Sequence, residues 1–564
     1  MNREEIVSFD KNYLVVPYNI EQFKEILLAT TKITIEELDK KLDNNYYKDY
    51  FEHVCCKTMV VEKEYVDKDF LKDFSNYYVT CFQTYNRFCT RIHFFSSDFN
   101  QQEFEEILSN TTDQISIKLT EINNSYLGFI VIKNLPKSII GKTCLKIYSD
   151  LESRNFPVLQ EYEAHLAGIP LKINTLAFQE QDSVVAACAT SSLWSIFQGT
   201  GRLFHHPILS PFEITQQATK DFPTRTRVFP NSGLTLEMMS KAIKHVGLEP
   251  LFINTNNQEI TKAAIYAYLK SNIPIMMGFY LQNKNTKRDI GLHAVAITGY
   301  NLPEKCSTTK YIANNKNHLD YGIMLKSFQI DKIYVHDDQV GPFAKMEFNE
   351  IAYLKDNFGQ ILCNQETGDA IKVWALSTSW GMKNLTRQFV SIPFALLIPT
   401  YHKIRIPFEK ILMQVYAFNN NLNYYAQTIF PKASSLISNL IWDIHLTTVN
   451  DLKTELLYNS NITGSEKFRI NMQSLPKYIW KVSVYSGNDI LLDMLFDATD
   501  IEQNNYMLDI IKYDESFVEM LKFFSLLFYN EHRTSCTDNI IIQKLSAMYF
   551  SEVNLRNEEK LIIN

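Results

Sequence analysis

The distribution of apolar residues changes along the middle of this chain, from about residue 171 to about residue 385. Apolar residues recur at helical spacing in the earlier segments and form strand-like runs in the later ones. Helices are predicted at 187–197, 233–247 and 260–269, and strands at 251–253, 273–281, 291–300 and 333–337. Helices that come first, followed by antiparallel strands, predict an α+β fold for this block.

The chain has 564 residues, which is more than one hydrophobic core ordinarily organises, so we expect several domains. The expected division is an N-terminal α+β domain over 1–165, a central domain over 166–390 and a C-terminal α+β domain over 391–564. In the first, the predicted elements are helices at 34–50 and 101–109 and a β-hairpin with arms at 114–119 and 126–132. In the last, they are strands at 395–406 and 478–485 and helices at 451–457 and 516–528.

The composition restricts the classes of function. The net charge of −7 argues against a nucleic-acid partner, because such proteins usually carry a basic excess or stripe. The nine cysteines are odd in number and lack metal-site spacing, as in a reduced intracellular protein. The N-terminus has no apolar segment typical of a secretory signal, and no apolar run is long enough to cross a membrane. We therefore expect a cytoplasmic protein with no cofactor, no metal, no nucleic acid and no membrane partner.

Cys188 opens the first predicted helix of the central block. Free cysteine is often simply buried, so the residue alone does not establish a function. Its surroundings favour reactivity, because Ala187 and Ala189 leave the sulfur open to a substrate carbonyl. The first turn of a helix is also where the macrodipole stabilises a thiolate. Cys188 is the candidate nucleophile, on a helix that is predicted to end at Gly199.

His293 lies in a predicted strand of small apolar residues, on the same face as Val295 and Ile297. A polar ring on such a face is either a hydrogen-bonded core histidine or a catalytic base in a fixed orientation. An imidazolium near Cys188 would favour the thiolate. His293 is therefore the candidate base.

Asp337 ends the next predicted strand, which the Gly-Pro pair at 341–342 is expected to close with a turn. Strand alternation puts Asp337 on the face of Val335, where it could orient the imidazole. Asp338 falls on the other face and is expected to act as a turn former. His336 shares that face and is expected to be exposed, although it remains a second candidate for the base.

Two glutamines, Gln179 and Gln181, lie shortly before Cys188. The tetrahedral intermediate of acyl transfer needs N–H donors for its oxyanion. Either side chain could supply one beside the backbone N–H of Cys188, or be an ordinary loop glutamine. We take Gln181 as the candidate donor and keep Gln179 as the alternative.

Together these segments resemble the papain-fold cysteine peptidases, and most of all the bacterial C39-like peptidases. The resemblance covers the catalytic block alone, from about residue 179 to about residue 341. The motifs that carry it are Gln181 before Cys188, Gly233-Leu234 before a helix that stops at Gly247, Leu269-Lys-Ser-Asn-Ile-Pro-Ile275, His293-Ala-Val-Ala-Ile-Thr-Gly-Tyr300, and Asp337 before Gly341-Pro342. The sequence differs from the family pattern at Ala189, where a glycine usually follows the nucleophile, and at Asp182, which occupies the place of the usual glutamine.

The resemblance implies a papain-like domain and a cysteine peptidase with a Cys188–His293–Asp337 triad. The extent of the chain outside this block favours a restricted protein or peptide target and a regulatory protein partner, in a bacterial conflict or antiviral defence setting. The same triad would also serve an acyl transferase of the transglutaminase-like kind. Ala189 and Asp182 would suit a catalytically weak papain-fold binding module.

Overall fold

The fold combines helices and strands throughout, in line with the expected α+β class. The computed structural model of the chain describes residues 6, 11–42, 45–109, 114–148, 153–182, 184–185, 187–221, 228–229, 233–303, 309–313, 320–356, 359–379, 388–531 and 539–563. The strands in these residues are β1 (Tyr13–Pro17), β2 (Thr58–Tyr65), β3 (Cys89–Phe95), β4 (Tyr126–Ile132), β5 (Ile140–Leu145), β6 (Arg154–Asn155), β7 (Gln160–Leu166), β8 (Ile169–Thr175), β9 (Leu248–Asn254), β10 (Ile275–Asn283), β11 (Asp289–Asn301), β12 (Met324–Leu325), β13 (Lys332–Asp337), β14 (Gly341–Tyr353), β15 (Lys372–Ser377), β16 (Phe389–Tyr401), β17 (Leu440–Thr448), β18 (Tyr478–Ser486), β19 (Asp489–Asp497) and β20 (Met507–Lys512).

The α-helices are spread over the same part of the chain. They are α1 (Ile20–Thr30), α2 (Ile35–Leu42), α3 (Tyr46–His53), α4 (Lys68–Asn76), α5 (Gln101–Ser109), α6 (Gln114–Ser125), α7 (Cys188–Phe204), α8 (Pro211–Thr219), α9 (Leu236–His245), α10 (Gln258–Leu269), α11 (Phe408–Thr428), α12 (Pro431–Ser438), α13 (Val449–Tyr458), α14 (Gly464–Met472), α15 (Glu515–Glu531) and α16 (Ile540–Ile563).

An antiparallel sheet with the strand order β1-β2-β3-β4-β5 organises the N-terminal part of the chain. Its core is rich in aromatic side chains, and the rings of Phe51 and Phe94 stack with centroids 4.1 Å apart. The helix predicted at 101–109 is confirmed as α5. Stacked rings of this kind add to the stabilisation that burial of their apolar area already supplies.

Two N-terminal predictions differ from the structure. The single helix predicted over 34–50 is interrupted between Leu42 and Tyr46, because Asn45 takes a left-handed backbone with φ 53° that a helix does not continue through. The first arm of the predicted β-hairpin is wrong, since 114–125 is the helix α6 and only the second arm is a strand, β4. Helical spacing is present there too, at Leu119 and Ile122.

A closed β-barrel carries His293 and Asp337. Its strands run antiparallel in the order β10-β11-β13-β14-β15-β16, and β16 pairs back onto β10. The strands predicted at 273–281 and 291–300 are confirmed as β10 and β11. Closure pairs both edges of the sheet, so the residues inside the barrel are held by neighbours on each side.

Helix α7 packs against β11 of the barrel, where the Ser192 hydroxyl donates a hydrogen bond of 2.9 Å to the carbonyl oxygen of Ala294. The predicted end at Gly199 is wrong, because α7 continues to Phe204. Gly199 is instead a site of close packing, where a Cβ would lie 3.1 Å from Pro274 Cγ. The missing side chain allows the helix to approach that loop without ending.

The chain divides into two compact units. Unit 1 comprises Met1–Thr255, Asn272–Asn301 and Asp331–Thr400, and unit 2 comprises Asn256–Ser271, Leu302–Ile330 and Tyr401–Asn564. This grouping differs from the three expected domains, because the N-terminal and central regions share one unit. The boundary expected after residue 165 falls inside β7, which pairs along its whole length with β8.

Unit 2 is built on the sheet β12-β17-β18-β19-β20, in which β12 and β17 are parallel and the other pairs are antiparallel. Its predicted elements at 451–457, 478–485 and 516–528 are confirmed as α13, β18 and α15. The strand predicted at 395–406 is β16, which ends earlier, at Tyr401. None of the helices in the described residues combines the length and apolar composition needed to cross a membrane.

Candidate active site around Cys188 and His293

Cys188 is the first residue of α7, and its side chain is partly accessible to solvent. The preceding residue, Ala187, has extended backbone, and its carbonyl oxygen accepts the first helical hydrogen bond from the N–H of Ser191 at 3.0 Å. The early N–H groups of a helix have no partner within it. The thiol therefore lies in the first turn of a helix, as the sequence predicted.

His293 lies in β11 with its side chain buried. It is directly paired with Phe279 of β10, and the Phe279 ring meets the imidazole edge-on at a centroid distance of 5.3 Å. This contact does not use the ring nitrogens, which bond polar partners, and the aromatic neighbour limits rotation of the ring. The strand thus presents one fixed imidazole to the interior of the site.

The imidazole of His293 has partners on both sides. Its Nε2 lies 2.9 Å from Oδ1 of Asp337. A side-chain hydrogen bond also joins the imidazole to Cys188. Burial by itself lowers the pKa of His293, but the Asp337 carboxylate, the Cys188 hydrogen bond and the nearby Asp338 carboxylate hold it well above its ordinary value. The three residues that the sequence proposed as a triad are therefore in contact.

Asp337 is fixed by the hairpin that joins β13 to β14. Its Oδ1 also accepts a hydrogen bond of 3.0 Å from the backbone N–H of Gln339, and its carbonyl oxygen accepts one from Val340 at 3.0 Å. The expected turn at 341–342 is wrong by a few residues, because the turn covers 338–340 and Gly341 begins β14. The carboxylate that faces His293 is therefore part of the turn's own hydrogen bonding.

Asp338 lies beside the same imidazole, which the sequence did not predict. Its Oδ1 is 3.5 Å from His293 Nε2, and its side chain is 3% exposed. The expectation that Asp338 would point to the other face is wrong, because the pairing of β13 with β14 shifts register between Val335 and Asp337. Burial raises the pKa of Asp338 to about 6, against the lowering effect of His293.

His336 is not the exposed second base that alternation suggested. It is 2% exposed and packs between the rings of Phe178 and Phe343, at centroid distances of 5.5 and 4.7 Å. Burial lowers the pKa of His336 to about 3, so the ring is neutral at ordinary pH. A buried neutral histidine between two phenylalanines acts as a core residue.

The two candidate oxyanion donors differ in burial. Gln179 is buried, and its Nε2 has no hydrogen-bond partner among the described residues, whereas Gln181 is partly exposed. A buried amide without a partner costs free energy in the resting protein, and such groups are found at functional sites more often than elsewhere. Of the two candidates, Gln179 is thus the one with a buried amide N–H group that has no partner among the described residues.

Asp182, six residues before Cys188, is held by three hydrogen bonds. Its Oδ1 accepts hydrogen bonds from the backbone N–H groups of Val184 and Val185 at 3.0 and 2.8 Å, and its Oδ2 accepts one of 2.8 Å from the Tyr78 hydroxyl. As an acceptor on all three contacts, this carboxylate cannot stabilise an oxyanion. It shapes the loop that leads into Cys188.

The N-terminal region holds the nucleophile side of the site through residues on and after α4. Asp69 accepts a hydrogen bond of 3.2 Å from the indole Nε1 of Trp194 on α7, and Asp73 accepts one of 3.0 Å from the N–H of Phe212 on α8. Lys72 forms an ion pair of 2.8 Å with Glu213. Together with the Tyr78 contact, these bonds attach α7, α8 and the loop before them to the N-terminal region.

The same region also holds the hairpin of β13 and β14, which carries Asp337, through α3 and the segment after β5. The Tyr46 hydroxyl donates to the carbonyl oxygen of Pro342, while Lys41 of α2 forms an ion pair with Glu180 in the segment before Cys188. Tyr148 donates a hydrogen bond of 2.6 Å to the carbonyl oxygen of Phe343. Because both sides are held by one region, that region fixes the distance between Cys188 and the barrel, a role that the sequence did not reveal.

One group in the described residues has the spacing of metal ligands, namely His293, Asp337 and Asp338, whose ligand atoms lie within 4.8 Å of one another. The Nε2 atom that a metal would use is the donor to Asp337, and the imidazole is also bonded to Cys188. The contacts with Asp337 and Cys188 therefore already give the imidazole polar partners from this chain.

Comparison of the chain with protein-family models and with curated proteins found no match. What the site does must therefore be argued from its geometry. The partly buried thiol of Cys188 lies at the start of a helix and contacts the buried imidazole of His293, whose protonated form is stabilised by its neighbours. Such a pair can form a thiolate and an imidazolium.

Proposed function

We propose that this protein is a cysteine peptidase with a papain-like catalytic block, in which Cys188 is the nucleophile, His293 the general base and Asp337 the residue that orients it. The carrying observation is the pair of bonds made by the His293 imidazole, to Asp337 at 2.9 Å and to Cys188. A thiol on one side of a buried imidazole and a carboxylate on the other are the partners that activation of a nucleophile requires.

The proposed reaction begins with the proton of Cys188 on His293. The thiolate attacks the carbonyl carbon of a peptide bond, and the electron pair of the C=O bond moves to oxygen. As the tetrahedral intermediate collapses, the C–N bond breaks and His293 gives its proton to the leaving amine. Water then adds to the thioester and gives its proton to His293, the C–S bond breaks to release the carboxylic acid, and the thiolate of Cys188 and the protonated His293 are restored. Asp337 keeps Nε2 occupied throughout, so that Nδ1 faces the sulfur.

The oxyanion would be held by the backbone N–H of Cys188 and by the side chain of Gln179. The first is an N–H in the first turn of α7, where the helix itself supplies no acceptor, and the second is the buried Nε2 without a partner in the described residues. Two preorganised donors of this kind are what acyl-transfer enzymes direct at the developing negative charge. Gln181, partly exposed, is the weaker candidate.

The arrangement of elements supports the papain-like assignment. The Cys-bearing helix α7 packs on the His-bearing strand β11 of a closed antiparallel barrel, with the Ser192–Ala294 hydrogen bond between them. We propose a restricted protein or peptide substrate and a regulatory protein partner. The reason is that the chain has a second compact unit with its own sheet and core, besides the unit that contains Cys188 and His293. A peptidase for simple degradation does not require such a unit.

The experiment that tests this function uses the full chain with an unbiased peptide library in H₂¹⁸O. We expect new C-termini that carry ¹⁸O with the wild-type protein and none with Cys188→Ala. A fluorescent primary amine added in parallel separates hydrolysis from acyl transfer, because a transferase would attach that amine to the acyl product. If neither product depends on Cys188, the site is a binding module and the proposal is wrong.

A further inference from the structure

Asp338 faces His293 although the triad already has its carboxylate. Its Oδ1 lies 3.5 Å from His293 Nε2, while Asp337 Oδ1 lies 2.9 Å from the same nitrogen. Two carboxylate oxygens thus lie within 3.5 Å of Nε2, and the hydrogen bond is made with that of Asp337. A second acid at this place needs an explanation, because two carboxylates in contact repel each other when both are ionised.

A turn-forming role does not explain Asp338. The bond that defines such a turn, from the backbone N–H two residues on, is accepted by Asp337, as the 3.0 Å contact with Gln339 N shows. Asp338 Oδ2 instead accepts a hydrogen bond of 3.0 Å from the side-chain Nε2 of Gln339. Its Oδ1 has no hydrogen-bond partner among the described residues and is left to the imidazole.

The burial of Asp338 makes this arrangement costly unless the imidazole carries a charge. A buried carboxylate with one hydrogen bond is destabilised unless a cation is close. The cation that lies within reach is the imidazolium of His293, whose pKa the two carboxylates raise against the effect of burial. The dependence is mutual, because each carboxylate is stabilised by the charge that it helps to maintain.

We propose that Asp338 is a second positioning residue for His293, which shares with Asp337 the task of holding the imidazole protonated and oriented toward Cys188. This inference rests on the proposed role of His293 as the base of Cys188. It distinguishes the site from a simple triad, because the loss of either carboxylate leaves the other in contact with Nε2. Removal of both would leave the buried ring with no charge partner.

The test is a ¹³C NMR titration of the His293 Cε1–H signal in the full-length Cys188→Ala protein, with the signal assigned from its loss in His293→Ala. Asp338→Asn should lower the titration midpoint by about 1 pH unit, and Asp337→Asn by about 1–3 units. The double variant should titrate at or below the ordinary value of about 6.5. Asparagine keeps an acceptor for Gln339, and Asp338→Ser is a second variant in case asparagine disturbs the fold.

A matched control separates contact from general charge. Asp289→Asn changes the net charge by the same amount as Asp338→Asn. Asp289 lies at the start of β11, the strand that carries His293, and accepts a hydrogen bond from Gln282. This substitution should leave the His293 midpoint unchanged. The inference is overturned if Asp338→Asn and Asp289→Asn give the same midpoint. That result would not touch the peptidase proposal, which is tested separately by Cys188-dependent cleavage.

Discussion

The hydroxyl of Tyr78 donates a 2.8 Å hydrogen bond to Oδ2 of Asp182, the residue that shapes the loop before Cys188. Both groups are buried. The bond joins the N-terminal region to the loop before Cys188, and with the two backbone contacts it gives Asp182 a structural role.

Loss of the Tyr78 hydroxyl should therefore destabilise unit 1. Because Tyr78→Phe leaves a buried carboxylate short of one donor, we expect the free energy of unfolding to fall by about 1.5–3 kcal/mol in urea titrations. The control is Tyr85→Phe, since the Tyr85 hydroxyl bonds Gln83 at 3.2 Å on the surface. Equal effects of the two substitutions would contradict a special role for the Tyr78–Asp182 bond.

The stability of the nucleophile side should depend on pH through Asp73. Burial, and then the nearby Asp182 carboxylate, raise the pKa of Asp73 well above its ordinary value, whereas the N–H of Phe212 and Lys133 oppose the shift and Asp69 adds to it. A carboxyl group whose pKa is raised by folding is protonated in the folded state at low pH. Its favourable contribution is lost as the pH rises from about 4 through the raised pKa.

Asp73→Asn should remove this loss, because asparagine can still accept from Phe212. We expect the variant to be more stable than the wild type at pH 7–8, by on the order of 1 kcal/mol, and the difference to vanish near pH 4. Urea unfolding at several pH values measures this. Asp49→Asn, on the exposed surface of α3, is the control for net charge and should show no such trend. A destabilised Asp73→Asn at pH 8 would oppose the account.

The oxyanion donor can be identified with two reagents that differ in chemistry. Acylation of Cys188 by p-nitrophenyl acetate passes through an oxyanion, whereas alkylation by iodoacetamide does not. Gln179→Ala should slow acylation by roughly a hundredfold and leave alkylation nearly unchanged. Gln181→Ala should affect neither. A larger acylation defect in Gln181→Ala would restore the first choice from the sequence.

The hairpin that joins β13 to β14 should be sensitive to substitution of Gly341. This glycine has φ 150°, and a Cβ there would collide with the ring of Tyr46, which also bonds the carbonyl oxygen of Pro342. Gly341→Ala should cost about 1–3 kcal/mol of stability and slow Cys188 alkylation, because the hairpin carries both carboxylates. Gly464→Ala, where a Cβ meets open space, should be neutral in thermal unfolding. A neutral Gly341→Ala would show that Tyr46 does not restrain the hairpin.

The sequence brought Cys188, His293 and Asp337 together as candidates because each follows a local rule. An apolar helix that starts at Cys188, a strand of small residues around His293 and an aspartate at a strand end can all be recognised from spacing. The error at Gly199 came from treating glycine as a helix stop, whereas here it allows close packing against Pro274.

The role of Asp338 could not be predicted from spacing. Strict alternation puts adjacent residues on opposite faces, but a register shift within the hairpin brings both carboxylates to one imidazole. The contacts of Asp69, Tyr78 and Tyr46 could not be predicted from the sequence either, because they join segments far apart in the chain. Burial of Gln179 and exposure of Gln181 depend on the same tertiary packing.

The most direct test of the central claim is competitive labelling of the full-length protein with iodoacetamide at pH 7, followed residue by residue with mass spectrometry. Cys55 and Cys363 are exposed and serve as internal references, while burial raises the pKa of Cys144 to about 12. The account predicts that Cys188 reacts first and that His293→Ala slows its labelling about tenfold or more without changing Cys55 or Cys363. Labelling of Cys188 no faster than the references, and unaffected by His293→Ala, would contradict the claim that these two residues form a nucleophile and its base.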